Sequence, residues 1–232
     1  MVKFRKLFCN IYKKWNHLLL LSYFAIYLPW FTFLERTITT HFNAIHIAID
    51  DYIPFCEYFV IPYMLWFGYV AWGVTYAAIR NKKDFYKLCT VLFTGMTVFL
   101  IISTLYPNGQ YLRPRYFERE NIFTMMCEWI YSKDTPTNLF PSIHVYNSLA
   151  IHFFVMNSEK LKNNRIVRTI SFVLCYSIVL STVFIKQHSV FDVITAIMLA
   201  AVMYQGVYVR KWAGAAHKKE SKYRTKTRIS HI

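Results

Sequence analysis

Residues able to attack, donate and accept protons cluster at two places in this chain. One is Asn138-Leu139-Phe140-Pro141-Ser142-Ile143-His144, and the other is His188-Ser189-Val190-Phe191-Asp192. Both stretches are set in apolar sequence, where an ionisable side chain is costly to desolvate and therefore marks a functional site by default. His188 and Asp192 are four residues apart and share a face if the segment is helical. There the carboxylate accepts from one imidazole nitrogen and leaves the other free to attack. His144 supplies a second proton-transfer group, and Arg113-Pro114 offers a cation for an anionic group. Asn138 reads as an N-cap with Pro141 in the first turn, which aims backbone N–H groups and the positive helix end at an anion. Ser142 adds a hydroxyl. A nucleophilic histidine, an orienting acid, a proton donor and a cation together suit phosphoryl transfer.

The elements that must hold these groups are membrane-type. Hydrophobic residues make up 56% of the chain and charged residues only 17%, in long apolar blocks. Six blocks, about 17–34, 58–79, 88–106, 139–157, 167–185 and 189–209, each approach the length a bilayer core requires. The expected fold class is all-α, a polytopic membrane protein with six transmembrane helices in one bundle. Residues 1–16 are then a basic cytoplasmic N-terminus, 17–209 the membrane domain and 210–232 a polybasic cytoplasmic tail. The first block lacks a small-residue cleavage site and reads as a retained signal anchor.

Charge placement gives the same count. Of the 27 basic residues, 21 precede the first block or follow the second, fourth and sixth. The positive-inside rule puts both termini in the cytoplasm and Arg113, His144 and His188 together on the outer side. The plasma membrane is the expected location. The net charge of +15 is thus mostly topological and calls for no nucleic acid. The tail from Lys218 to Arg228 is expected to lie on anionic lipid headgroups, at about 1 kcal/mol per cation. The outer connections, about 35–57 and 107–138, carry apolar stretches suited to interfacial helices, which either flank a lateral lipid entrance or pack over the bundle. The five cysteines show no metal-ligand spacing.

The three polar segments resemble the signature of the type-2 phosphatidic acid phosphatase superfamily: Lys-x6-Arg-Pro, Pro-Ser-Gly-His, then Ser-Arg-x5-His-x3-Asp. Here they read Tyr106 to Pro114, Pro141-Ser142-Ile143-His144, and Ser181 to Asp192. The resemblance implies His188 as the nucleophile that forms a phosphohistidine, Asp192 as its orienter and His144 as the general acid. It implies Arg113 and Ser142 as phosphate ligands, and neither metal nor organic cofactor. Tyr106 stands at the family's lysine and Thr182 at its second arginine. Lys186 is a candidate replacement cation for phosphate, and Arg115 another. Ile143 in the glycine position is similar to inositol phosphorylceramide synthases, which transfer a phosphodiester headgroup between lipids. The expected substrate is a lipid phosphate or pyrophosphate ester that is hydrolysed, with headgroup transfer as the alternative.

Other readings attach to the same residues. Ser142 is also a helix cap, Arg113-Pro114 an interface anchor, and His41, His46 and His152 packing residues. A non-catalytic homologue is one alternative. A transporter with His144, Ser148 and His152 along a polar path is another, although the membrane segments otherwise lack charge. Two histidines and a carboxylate are competent metal ligands, but Arg113 would repel a cation.

Overall fold

The computed structural model describes residues 15–209. The expectations for the basic N-terminus and the polybasic tail therefore lie almost entirely outside the described residues. Within them the chain is mostly helical. The long helices are α1 (Asn16–Thr37), α3 (Val60–Arg80), α4 (Lys82–Leu105), α6 (Ile143–Asn157), α7 (Arg165–Phe184) and α8 (Val190–Val209). Two short helices lie in the connections, α2 (Ile49–Tyr52) and α5 (Ile122–Lys133). All six apolar blocks are long helices. Four of them, α1, α4, α7 and α8, are long and apolar enough to cross a membrane. The other two differ for visible reasons. In α3, Tyr63, Trp66, Tyr69, Trp72 and Tyr76 lower the hydropathy. Helix α6 has 15 residues, about 22 Å at 1.5 Å per residue.

Helix starts follow from local chemistry. The Asn81 side chain accepts from Lys83 N at 2.9 Å to begin α4, and Asn164 caps α7 in the same way. Asn121 and Thr124 close a reciprocal capping box on α5. Helix α6 is the centre of the bundle, packed on α3, α4, α7 and α8. Val145, Ala150, Ile151, Phe154 and Val155 are all buried, as expected of a helix enclosed on every side. Packing there leaves little slack: a Cβ on Gly95 of α4 would stand 2.0 Å from the Tyr146 ring. The outward faces of α7 and α8 expose Ile166, Ile170, Val173, Ile194, Met198 and Val202. A band of that kind is a liability in water and suits lipid.

The polar end of the bundle is tied by loops. Strands β1 (Asn43–Ala44) and β2 (Asn108–Gly109) pair in parallel, and Gly109 bridges to Thr137. A side chain at Gly109 would meet the Phe42 ring at 2.6 Å and Pro136 O at 2.7 Å, so only glycine fits this crossing. The buried Asn108 side chain accepts from Leu139 N at 2.8 Å and Phe140 N at 2.9 Å. These bonds hold the approach to α6 in place.

Candidate active site

The start of α8 positions one histidine. Ser189 is the N-cap and Asp192 completes a capping box, with Asp192 Oδ2 accepting from Ser189 N at 3.1 Å. His188 therefore precedes the helix and is not on its face, which corrects the helical reading of the pair. The contact nonetheless forms: His188 Nδ1 lies 3.4 Å from the same Asp192 Oδ2. One fully buried carboxylate oxygen thus serves both the helix cap and the imidazole, and Asp192 Oδ1 has no partner among the described residues. The His188 backbone N–H donates to Thr182 O at 2.9 Å, which anchors it to the last turn of α7.

The start of α6 positions the other. Ser142, not Asn138, is the N-cap, and its Oγ accepts from Val145 N at 3.4 Å. The helix starts four residues later than the sequence reading, because Asn108 keeps Leu139 and Phe140 outside it. Asn138 instead adopts a left-handed φ of 55° and donates to Glu35 Oε1 at 3.1 Å. The Ser142 N–H donates to Asp192 O at 3.3 Å, joining the two helix starts. His144 then sits in the first turn, between the Tyr63 and Trp66 rings at centroid distances of 4.6 and 4.4 Å. Its Nδ1 is 3.5 Å from His188 Nε2.

The remaining expected phosphate ligands lie around this pair rather than on the wall of its cavity. Arg113 donates to Asp134 O at 2.8 Å and Thr135 O at 3.2 Å, and also to Gln187 Oε1. Its guanidinium covers the Tyr131 ring at 4.6 Å. Burial lowers the Arg113 pKa, opposed by Tyr131, Tyr63, Asp134 and Glu35. Lys186, at a left-handed φ of 54°, turns its ammonium to Asp50 O at 2.8 Å. Burial lowers its pKa, opposed by Asp50 and Asp51. Ser142 is fully buried as the cap. Thr182, at the position of the second arginine, is buried and donates to Val179 O, whereas Tyr106 is half-exposed at the end of α4. Arg115 is exposed on its loop.

Four contributors escaped the sequence reading. Asp50 is 2% exposed and accepts from Ser189 Oγ at 2.6 Å, Val190 N at 2.8 Å and Ile47 N at 2.9 Å. It is a second acidic group, beside Asp192, at the N-terminus of α8, where the helix dipole favours one. Gln187 carries Arg113 and lines the cavity with His188. Glu35 accepts from Thr135 Oγ1 at 2.7 Å and Asn138 Nδ2, and Asp134 accepts from Tyr63 Oη at 3.2 Å. His46 pairs with Asp51 at 2.8 Å, and His152 Nδ1 lies 3.0 Å from Ser171 Oγ, so both have local partners.

A cavity of about 590 Å³ begins at this constellation. Its polar end holds His144, His188, Gln187, Glu35, Asp134 and Asn138. The rest of its wall is mostly apolar and comes chiefly from α1, α3 and α4, with Leu139 ahead of α6 and Ile143 and Asn147 on it. Burial, reinforced by the Arg113 charge, pushes the His188 pKa down to about 3. The imidazole is then neutral at ordinary pH, with Nδ1 toward a carboxylate and Nε2 toward the cavity-lining His144.

Residues 109–214 match the family model of the PAP2 superfamily. A curated relative, an uncharacterized protein of Methanocaldococcus jannaschii, is 27% identical over 160 residues, or 64% of this chain and 59% of the relative. The chain therefore spans about three fifths of the length of the curated relative it matches.

Proposed function

We propose, from the match of residues 109–214 to the PAP2 superfamily, whose members are generally phosphoester hydrolases, that the protein is a membrane lipid-phosphate phosphatase working through a phosphohistidine. The observation that carries this reading is the two-ended cavity. One end has paired histidines, and the rest is an apolar trough among membrane-type helices. A phosphate ester with a long apolar chain matches both ends. Six spanning helices, both termini on the cytoplasmic side and the site on the outer side belong to the same proposal.

In this mechanism His188 Nε2 attacks phosphorus while Asp192 holds the Nδ1 proton. The bond from phosphorus to the lipid oxygen breaks, and His144 protonates that oxygen. Water then attacks the phosphohistidine as His144 takes its proton. The N–P bond breaks, inorganic phosphate leaves and His188 is restored. In-line displacement puts the leaving oxygen across phosphorus from the attacking nitrogen. The near-attack distance alone is about 3–3.5 Å, and the two histidine nitrogens are 3.5 Å apart. The phosphoryl group therefore enters from the cavity and parts the rings. The first-turn N–H groups of α6 would bind its oxygens, with Arg113 released from Gln187 to join them.

A second reading, headgroup transfer to another lipid's hydroxyl, is favoured by the charges on the wall. Glu35 and Asp134 line the polar end, and no lysine or arginine does among the described residues. That balance suits a phosphodiester with one negative charge better than a doubly charged monoester. Phosphate release and headgroup exchange, measured side by side in vesicles with His188→Ala as blank, separate the two. Release lost in the blank supports hydrolysis, and exchange without release supports transfer. Neither product from the wild type would refute the enzyme.

A further inference from the structure

The cavity has walls on two helices whose lining residues are themselves open to the outside. On α1 these include Leu28, 54% exposed; on α3 they include Phe67, 53% exposed, and the exposed Ala71. A side chain that both lines a cavity and faces outward marks the edge of an opening. These residues lie along the apolar length of α1 and α3, not in the polar loops. The opening thus faces the layer that the outward bands on α7 and α8 match. Beyond the edge the wall continues inward through Phe31, Trp66 and Met96 to the histidines.

We propose that the gap between α1 and α3 is a sideways portal through which the hydrocarbon chain of a lipid phosphate enters and in which it rests during reaction, with Ala71 as the residue that sets which chains pass. This rests on the lipid-phosphate reading and adds the route and the selecting residue. The occupant follows from continuity, since one end of the trough meets the paired histidines of the proposed phosphoryl-transfer site and the rest of its wall is mostly apolar. At the edge, α3 presents Gly68, whose Cβ position has nothing within 4 Å, and Ala71. That small-residue step lies between the bulky Phe67 and Val74, and Phe67, Ala71 and Val74 line the cavity together with Leu28. The outer end of α1 is held by Glu35, through Thr135 and Asn138, to the loop that leads into α6. The portal is thereby closed at the polar end and open along its apolar length.

The test fills the edge with Ala71→Phe and compares two substrates, a long-chain lipid phosphate in vesicles and a water-soluble aryl phosphate. Expected is a fall of at least tenfold in kcat/KM for the lipid, with the aryl phosphate within twofold of wild type. Leu65→Phe, exposed on α3 but off the cavity wall, should change neither. Unchanged lipid turnover in Ala71→Phe overturns the portal, and so does an equal loss on both substrates. A binding arm is independent of catalysis: a lipid phosphate with a brominated chain should quench the Trp66 emission, taken as the difference between wild type and Trp66→Phe. Ala71→Phe should abolish that quenching. Quenching without turnover of either substrate would refute the phosphatase while supporting the portal, whereas equal quenching in Ala71→Phe overturns the portal.

Discussion

Asp50 gives the sharpest structural expectation, because three donors from two parts of the chain converge on one buried carboxylate. Asp50→Asn keeps one acceptor oxygen and removes the charge facing the start of α8. Hydrogen bonds to a charged group contribute about 1.5–3 kcal/mol each, against about 1 for neutral ones. A carboxylate at a partly buried helix N-terminus adds about 0.3–2 kcal/mol. Losing one of the bonds to Ser189 Oγ, Val190 N and Ile47 N, and weakening the others, should therefore cost about 3 kcal/mol. For a chain of this size each kcal/mol moves Tm by about 2–4 °C, so Tm should fall by about 6–12 °C in a thermal melt followed by circular dichroism. His188 immediately precedes this helix start, and a small displacement of the nucleophile should lower kcat by about tenfold or more. Asp51→Asn, whose exposed carboxylate pairs with His46, is the control and should stay within about 0.5 kcal/mol of wild type. Equal Tm and kcat for Asp50→Asn and wild type would refute the argument that this carboxylate fixes the start of α8.

Other expectations follow from single contacts. His188 is held neutral, with its pKa down to about 3 against about 6.5 in an unfolded chain. Between those values the unfolded state binds more protons, so this contribution to stability is whole above about pH 6.5 and is lost as pH falls toward 3. His188→Gln should lose less Tm than wild type between pH 7 and 4.5; parallel curves would contradict a neutral buried imidazole. Gly95→Ala should destabilise by about 1–3 kcal/mol through overpacking against Tyr146, whereas Gly68→Ala should be neutral or stabilising by about 1 kcal/mol. A chemical denaturation midpoint that falls equally in both would contradict the packing argument. Asp192→Ala should reduce turnover less than His188→Ala, since it orients rather than attacks; the reverse order in single-turnover kinetics would contradict those roles.

The apolar blocks made the long helices legible, since a block near 20 residues has few other uses. Their ends were less so. Asn138 and Ser142 are both good caps by residue type. What selects Ser142 is Asn108, whose amide oxygen holds Leu139 N and Phe140 N, 31 and 32 residues further on. Likewise His188 and Asp192 suggested one helical face by spacing, but the Ser189 capping box starts the helix between them. The two histidines, the carboxylate and the arginine were visible as residue types stranded in apolar sequence. Asp50, Glu35 and Asp134 were not, because an acid in an outer connection looks solvated until loops from distant parts of the chain fold over it. Lys186 shows the converse. Its position beside His188 suggested a phosphate cation, yet the backbone at this residue directs the ammonium to Asp50 O.

The central claim is that the phosphoryl group passes through His188, and trapping it is the most direct measurement. Wild-type protein in vesicles is mixed with a lipid phosphate carrying labelled phosphorus, quenched with alkali within a turnover and separated under denaturing conditions. Label is expected on the chain that is stable in base, lost in acid and absent from His188→Ala, with the labelled peptide spanning His188. Turnover by His188→Ala, or wild-type turnover with no base-stable label at any quench time, would contradict it.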